Sequence, residues 1–444
     1  MKRFLFCLVV FIGIMALVVP TYAAEMNING INRIKFIATD NLDGDDDADD
    51  QANFIKQRMR MYFTSVASEN LKVVYKNEID FEWGDDQFSR RGTRGNSGGI
   101  GGDNVNLETK NLYMEMMVPD TPVKATLGLQ GITLHKGIWI SDDAAAARFD
   151  MNFDPVAVTL AYVNAVDTDF TSSEDDVWQL HASVGYKAEN MDFRFSLGYE
   201  KGQDDEATTG IKSDDFYQVM GEFNMNLDMV SFFVLAGVNF GEVDGNNTAA
   251  GRAADRDYEG YMFYAGADFA LDIATISVAG MYFSGDDEGD LDADYRSFTG
   301  ETFSWSEILS DGYFWEANAN IGSIGWVHTT NGPANCPSNM WALNVGADLK
   351  PTDTTTIAID LYYVGMVEDR TVAGDDEDTI GTELDVSLTQ KVYDNLDVII
   401  AGAYMLADDG YGVYNGDPDD PATTQADNSG DDAWIIGMGL NYKF

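Results

Sequence analysis

The thirteen residues Asp432–Phe444, DAWIIGMGLNYKF, decide the fold of this chain. Taken at a period of two, one face is wholly apolar or aromatic and carries Trp434, Ile436, Met438, Leu440, Tyr442 and Phe444. The other face carries Ala433, Ile435, Gly437, Gly439, Asn441 and Lys443. Aromatic rings at both ends of a face, with aliphatic side chains between them, are typical of a strand that crosses a bilayer. Strands of soluble sandwiches also alternate, so the rest of the chain must decide.

Residues 1–23 have the pattern of a secretory signal peptide. Two basic residues precede the apolar run Phe4–Val19, and small residues follow at a cleavage site after Ala23. A retained membrane helix is the alternative, but the short apolar run with a cleavage site directly behind it favours the signal peptide. The sequence therefore predicts an exported protein whose mature domain comprises residues 24–444.

The mature chain is strongly acidic. Without the signal peptide, 25 basic residues stand against 75 acidic ones, a net charge of −50. Because affinity for nucleic acid depends on clustered Lys and Arg, nucleic acid is excluded as a partner. Cys336 is the only cysteine left, which excludes an intramolecular disulfide and favours a shielded loop thiol over a reactive one. The mature chain has no apolar run of about eighteen residues, so membrane-spanning helices are excluded too.

Alternating segments of strand length recur along the mature chain, and two kinds of connection separate them. One kind has three to five residues, such as Ala188–Asn190. The other is long and acidic and comprises Asp40–Gln51, Gly84–Asn104, Gly202–Ser213, Gly241–Asp257, Gly285–Asn339, Val367–Gly381 and Ala407–Asp431. Short periplasmic turns and long extracellular loops are typical of outer-membrane barrels. The sequence predicts an all-β fold, a transmembrane antiparallel β-barrel of about 16–18 strands in the bacterial outer membrane, depending on whether Phe149–Phe153 and a neighbour are strands.

The first three predicted strands carry seven basic side chains on one face, and we call this set the basic ladder: Arg33, Lys35, Lys56, Arg58, Arg60, Lys72 and Lys76. A charge that faced lipid at mid-depth would cost about 2–4 kcal/mol, so the ladder is predicted to line an aqueous pore. The same face of the third strand carries Glu78, Asp80 and Glu82, which are predicted to line the pore as well. The alternative is that the ladder only forms ion pairs with these carboxylates.

Several stretches resemble the homotrimeric outer-membrane porins of sulfate-reducing and related bacteria: Gln57–Arg60, Ala67–Leu71, Asn111–Thr121 (NLYMEMMVPDT) and Gly128–Gly131. The last strand is similar to the closing strand of bacterial outer-membrane barrels, where the terminal aromatics, here Tyr442 and Phe444, are part of the signal for the barrel-assembly machinery. The resemblance covers the first third of the chain and this strand. It implies a homotrimer that passes small hydrophilic solutes by diffusion. The very acidic loops depart from typical members and leave the ion preference open.

In general porins the loop after the fifth strand folds into the lumen and narrows it, and here that segment is Thr133–Arg148. The candidate constriction residues are His135, Lys136, Asp142, Asp143 and Arg148. Asp142 and Asp143 would then face the basic ladder, and such a transverse field orders water and filters solutes by charge. A surface loop is the alternative.

Runs of aspartate provide carboxylate oxygens, which Ca²⁺ prefers. They are Asp43–Asp50, Asp286–Asp294, Asp375–Asp378 and Asp417–Asp420. None has the EF-hand spacing, so solvated loop ends are favoured over specific sites and no cofactor is predicted. A diffuse role stays open, in which loosely bound Ca²⁺ bridges these loops to lipopolysaccharide.

The sequence gives little support for catalysis. His135, His181 and His328 are predicted to lie far apart, and the chain has neither a GxSxG motif nor a Cys/His cluster with metal spacing. A general diffusion porin is therefore predicted, not an enzyme. One alternative is a substrate-specific channel for sugars or anions, with Tyr62 and Trp139 as an aromatic sliding surface. The other is a structural or adhesive surface barrel that does not conduct.

Overall fold

The computed structural model describes residues 24–42, 44, 51–84, 97–100, 105, 107–166, 176–202, 211–245, 255–286, 293–298, 303, 305–310, 312–314, 338–372, 375–408, 410–411 and 430–444. Its long strands are β1 (Glu25–Asp40), β2 (Ala52–Ser68), β3 (Leu71–Trp83), β5 (Glu108–Met117), β6 (Val123–Leu134), β7 (Ile140–Asn152), β8 (Val156–Val166), β9 (Val177–Lys187), β10 (Met191–Lys201), β11 (Ile211–Leu227), β12 (Val230–Gly245), β14 (Tyr261–Ala270), β15 (Ala274–Phe283), β16 (Met340–Thr352), β17 (Thr355–Val372), β18 (Asp375–Tyr393), β19 (Leu396–Ala407) and β20 (Ala433–Lys443). Two strands of two residues each, β4 (Ser97–Gly98) and β13 (Arg256–Asp257), complete the set. The signal-peptide prediction and Cys336 lie outside the described residues.

The eighteen long strands form one closed antiparallel barrel, which confirms the predicted fold class at its upper strand count. Closure occurs between β1 and β20, where Lys35 lies opposite Gly439. Beyond this ladder, Gly30 N–H donates to Phe444 O at 2.9 Å, and Phe444 N–H donates to Gly30 O at 3.1 Å. A closed barrel pairs every strand edge, which backbone in hydrocarbon requires. No helix among the described residues is long and apolar enough to span a membrane.

Side chains alternate between a lipid-facing surface and the lumen, as the sequence predicts. In β20, Ile436 and Met438 are well exposed on the outside, whereas Ala433 and Ile435 are buried on the inside. Large apolar side chains such as Leu197 and Leu343 are likewise half exposed on strands far from β20. So large an apolar outer surface requires lipid around it, because soluble monomers rarely expose contiguous apolar patches of more than a few hundred Å².

Connection lengths segregate by barrel end, with tight turns such as Glu69–Asn70 and Asp394–Asn395 at one end. Two predicted boundaries are wrong. Phe149–Phe153 is not a separate strand, because β7 runs unbroken from Ile140. Val367–Gly381 is mostly strand, since the backbones of β17 and β18 continue to pair up to Val372 and Asp375. Backbone pairing beyond the bilayer needs no apolar side chains, so polar sequence there does not end a strand.

Candidate functional site

The basic ladder lies on the inner wall of β1, β2 and β3. Four of its members have a carboxylate partner: Lys56 with Glu82 (2.9 Å), Arg58 with Asp80 (2.6 Å), Arg60 with Glu78, and Lys72 with Glu115 (2.9 Å). The first three pairs are direct cross-strand neighbours of β2 and β3, so the predicted acidic residues lie opposite the cations by register. Arg58 binds Asp80 through two nitrogens, at 2.6 and 2.8 Å. Most of the ladder is therefore locally neutralised.

The other three members differ from one another. Lys35 is only 2 % exposed; its ammonium donates to the backbone oxygen of Tyr313 and lies 4.3 Å from the centre of that ring. Within the described part of the chain, Arg33 and Lys76 have no carboxylate oxygen within 4.0 Å. Lys76 instead lies 5.2 Å from the ring of Tyr62. Arg33 and Lys76 thus contribute positive charge that no described ion pair compensates.

The end of the β6–β7 hairpin leaves the barrel wall, and we call residues 130–144 the inward hairpin. Pairing of β6 with β5 stops at Leu129, and pairing of β7 with β8 begins only at Ala145. The prediction that Thr133–Arg148 is a loop is therefore wrong in detail. The segment consists of the end of β6 and the start of β7, joined by a 3₁₀ turn at His135–Gly137. His135 and Lys136 adopt φ of 50° and 57°, which is uncommon for residues other than glycine. This tight reversal turns the tip toward β10 and β11.

The imidazole of His135 fixes the tip of the inward hairpin. Its Nε2 lies 2.7 Å from Ser196 Oγ on β10, and its Nδ1 lies 3.1 Å from Glu222 Oε2 on β11. Serine, histidine and carboxylate in this order match the groups of a hydrolase triad. However, His135 and Ser196 are each only 1 % exposed, so no solute reaches the hydroxyl. The three groups anchor the hairpin to β10 and β11.

Trp139 packs at the centre of the same contact region. Its indole N–H donates to His181 Nδ1 at 3.1 Å, and its ring centroid is 5.5 Å from that of His135. The prediction that the histidines lie far apart is thus wrong for His135 and His181, while His328 lies outside the described residues. Trp139 is 0 % exposed, so it cannot act as a sliding surface for solutes.

The other predicted constriction residues also have local partners. Lys136 Nζ lies 4.3 Å from the centre of the Phe233 ring, and Arg148 forms an ion pair with Asp150 at 2.9 Å. Asp142 Oδ1 accepts the backbone N–H of Asp143 at 2.7 Å. The Asp143 carboxylate binds Lys110 at 2.7 Å and accepts a hydrogen bond from the Asn111 side chain at 2.6 Å. Asp143 therefore contacts β5 next to the basic ladder through Lys110, which is not among the predicted pore-lining residues. Arg148 remains on the barrel wall.

A second element enters the lumen between β15 and β16, and we call its described residues within 293–314 the inward loop. Gly285–Asn339 is predicted from the sequence to be an extracellular loop, and the structure corrects this for the inward loop. Arg296 forms an ion pair with Glu200 on β10, and its guanidinium lies 4.7 Å from the centre of the Phe216 ring. Burial works to lower the pKa of Arg296, but Glu200 reverses this and holds the pKa above its usual value. This end of the loop is held by charge.

Carboxylates of β18 hold the middle of the inward loop. Glu383, fully buried, accepts three consecutive backbone N–H groups: Glu307 at 2.9 Å, Ile308 at 2.6 Å and Leu309 at 3.1 Å. The Glu307 side chain in turn accepts the N–H groups of Tyr313 at 2.9 Å and Phe314 at 3.1 Å. Burial raises the pKa of Glu307; the two N–H groups oppose this, and nearby Glu383 adds to it. A compact hydrogen-bonded turn results.

Glycines on β20 make room for the far end of the inward loop. A Cβ at Gly437 would lie 2.6 Å from a ring carbon of Phe314, and one at Gly439 would collide with the hydroxyl of Tyr313. Both glycines lie on the face that the sequence predicts to be the inner one. Two bare backbone positions on an inner wall are a signal that another part of the chain approaches closely.

The inward hairpin and the inward loop meet inside the barrel. Phe298 N–H donates to Trp139 O at 3.1 Å, and the two rings are 5.1 Å apart. Phe298 also packs on His181, with 4.9 Å between ring centroids. An empty barrel of this strand number encloses a wide aqueous channel. Here the two elements enter that channel and together narrow it.

Comparison with known proteins agrees with this geometry. No family model and no curated protein matches the chain. Among solved structures, Pseudomonas aeruginosa OpdK with vanillate is 10 % identical, with a TM-score of 0.57 over 95 % of this chain and 98 % of that chain. OccK8 (OprE) of the same organism is 10 % identical, with 0.58 over 95 % and 98 %. OccK3 (OpdO) is 11 % identical, with 0.55 over 95 % and 96 %.

The chain has the fold of an eighteen-stranded outer-membrane porin. Together with the apolar outer surface, this fold makes it a multi-pass β-barrel of the bacterial outer membrane, as predicted. Identities near ten per cent show the fold alone. The narrower resemblance to porins of sulfate-reducing bacteria stays a prediction.

Proposed function

We propose that this protein is an outer-membrane channel that selects small hydrophilic solutes by charge as well as by size. The contact of Phe298 with Trp139 carries the proposal, because it joins two anchored elements into one partition of the lumen. A solute in a narrowed pore passes within contact distance of the wall, where fixed charges discriminate. In a wide pore, water and salt screen the wall charges over a distance of about 8 Å at physiological ionic strength, so a solute near the centre would pass without sensing them.

The favoured solutes are small organic anions. Arg33 and Lys76 face the lumen without a described ion pair, whereas the carboxylates of β3 are already paired with other ladder residues. OpdK, which has the same fold, was solved with vanillate, an aromatic carboxylate. We extend that solute class to this chain as part of the proposal. The general diffusion porin predicted from sequence remains the second candidate, supported by the large strand number.

The test is solute flux through the refolded mature chain in liposomes. Vanillate and its neutral analogue vanillyl alcohol have nearly the same size, so a faster vanillate flux supports charge selection. Equal fluxes that depend only on solute size would favour general diffusion. In a KCl gradient, the reversal potential should indicate anion preference. A folded, heat-modifiable barrel that conducts nothing would instead support the structural or adhesive barrel.

We further propose the partners expected from sequence. Three copies form a homotrimer, which predicts conductance steps in groups of three. Tyr442 and Phe444 present the signal for the assembly machinery. The acidic loops bind Ca²⁺ loosely and bridge to lipopolysaccharide; most residues of the four aspartate runs lie outside the described part of the chain.

A further inference from the structure

The carboxylate of Asp143 is held at the base of the inward hairpin by two side chains of β5. Lys110 Nζ lies 2.7 Å from Asp143 Oδ2, and the Asn111 amide donates to Asp143 Oδ1 at 2.6 Å. The same amide donates to the backbone oxygen of Lys110 at 2.8 Å, which fixes the direction of its nitrogen. Each carboxylate oxygen thus has a donor of its own, one charged and one neutral.

A β-bulge brings the two donors to the same side of β5. The register of β3 and β5 shifts between Lys76, which pairs with Asn111, and Asn77, which pairs with Thr109. Lys110 is therefore the extra residue of the bulge. Neighbours in a regular strand point to opposite faces, whereas a bulge re-aims a side chain. Because of the bulge, two consecutive residues reach one carboxylate.

Asp143 contacts these donors from an element that has left the barrel wall. Pairing of β5 with β6 stops at Leu129, so the inward hairpin reaches Lys110 and Asn111 through the Asp143 side chain. The cross-strand partner of Asp143 is Gly131, where a Cβ would lie 3.2 Å from Asp143 Oδ1. Rotation of this one side chain can free both donors without breaking any strand pairing.

A second cation lies beside the two donors. Lys76 is the cross-strand partner of Asn111 and interacts electrostatically with both Asp143 and Lys110. As noted above, no described carboxylate oxygen lies within 4.0 Å of its ammonium. The side chains of Lys110 and Asp143 are 20 % and 23 % exposed, so water and solutes reach them, whereas Asn111 is 1 % exposed. A solute anion is therefore attracted to Lys76 and Lys110, and meets Asn111 only after Asp143 has moved.

We propose that Lys110 and Asn111 form a binding site for the carboxylate of a small organic acid, and that Asp143 occupies this site when no solute is bound. The solute carboxylate replaces Asp143, with one oxygen on each donor and Lys76 beside it. Asp143 is thus a built-in competitor. A channel must also release what it binds, and a competitor weakens binding without removing the donors that select a carboxylate. The inference deepens the proposed function and rests on it for the solute class alone.

The test is a calorimetric titration of the refolded full-length mature barrel with benzoate, with benzamide as a neutral probe of nearly the same size. Asp143→Asn keeps the side-chain shape but removes the competing charge, so it should bind benzoate roughly tenfold more tightly than the wild type does. Adding Lys110→Gln should abolish this gain. Asp150→Asn is the matched control, because Asp150 lies on the same strand and pairs with a cation, Arg148, but lies outside the inward hairpin.

Gly131→Ala is a second variant, which changes no charge. Its Cβ would press on Asp143 Oδ1 and loosen the hold of both donors on that carboxylate. Benzoate should therefore bind more tightly to Gly131→Ala than to the wild type, by a smaller factor than in Asp143→Asn.

Each variant is first checked for heat-modifiable migration, so that a misfolded barrel is not counted. Wild-type or weaker affinity for benzoate in Asp143→Asn would overturn the proposal; where that variant does not fold, the same result in Gly131→Ala would. An equal gain in Asp150→Asn would overturn it too, because any lost lumen carboxylate would then suffice, and so would benzamide binding as tight as that of benzoate. A channel that selects anions but whose benzoate affinity ignores Asp143 would refute the site alone. A barrel whose benzoate affinity depends on Asp143 but that does not conduct would refute the channel alone.

Discussion

Replacing Glu383 by alanine should release the inward loop from the wall. In the structure this one carboxylate accepts the N–H groups of Glu307, Ile308 and Leu309. Alanine offers no acceptor, and the fully buried position leaves water little access to the three donors. The Glu307 N–H keeps Asp385 Oδ2 as an acceptor at 3.1 Å, but the N–H groups of Ile308 and Leu309 must then either stay unsatisfied or move into the lumen, where water can hydrate them.

The size of the effect follows from these contacts. A buried donor without an acceptor costs about 1–3 kcal/mol, so two of them amount to roughly 2–6 kcal/mol. Removing one carboxylate also relieves repulsion with Asp385 and Glu307, which reduces the loss. Even the lower value, about 2 kcal/mol, changes the ratio of docked to released loop by roughly thirtyfold. A release of this size should be visible in every channel.

The assay combines conductance with thiol labelling. In a Cys336→Ser background, a cysteine at the buried position Ile308 should be protected from a membrane-impermeant maleimide. Adding Glu383→Ala should expose it and raise the single-channel conductance. Asp268→Ala is the control, since it removes a lumen-facing carboxylate whose described side-chain hydrogen bond, from Ser231 at 3.4 Å, does not involve the inward loop. Protection and conductance that stay at wild-type values in the Glu383 variant would refute the reasoning.

Three further predictions concern charge. Arg296→Ala leaves the buried carboxylate of Glu200 without its cation, so the free energy of unfolding in urea should fall by about 3–5 kcal/mol. Arg296→Lys should recover part of that stability. An unchanged urea midpoint in Arg296→Ala would contradict a stabilising role of the ion pair. Arg33→Ala should shift the reversal potential toward cation preference more than Lys72→Ala does, because Lys72 is already paired; equal shifts would count against a lumen role for Arg33. Because the pKa of Glu307 in the docked loop is raised above 4.5, docking should be strongest below that pH and weaken as the pH rises through the docked value. Conductance should then increase with pH in the wild type but not in Glu307→Gln.

The barrel could be predicted because its rule is local. Alternate residues face lipid, and lipid accepts only apolar side chains, so each strand can be predicted from its own sequence. Outside the bilayer a strand may carry polar side chains on both faces, so the sequence does not show where the strand ends. For this reason β17 and β18 continue into a polar segment whose sequence resembles a loop. The basic ladder is predicted by the same local rule, because charged side chains at alternate positions favour an aqueous face over lipid.

The inward loop could not be found this way, because its contacts join residues far apart in the chain. Arg296 with Glu200, and Glu307 with Glu383, are pairs without any local pattern. Two weaker signals were present. The segment 303–314 is rich in aromatic and aliphatic residues, unlike a solvated loop, and β20 has bare glycines on its inner face. An apolar composition within a long loop, and not its length alone, predicts that part of the loop packs against the barrel wall.

The contact between β1 and β20 also governs how the molecule can be made. Its partners are roughly 400 residues apart, so this seam carries the highest loop-closure entropy in the barrel and should form late. Until then the sheet has two free edges, each a row of amide and carbonyl groups that another copy can pair with. Intermolecular pairing depends on concentration, whereas closure does not. The yield of closed barrels should therefore fall steeply as the concentration of refolding chains rises.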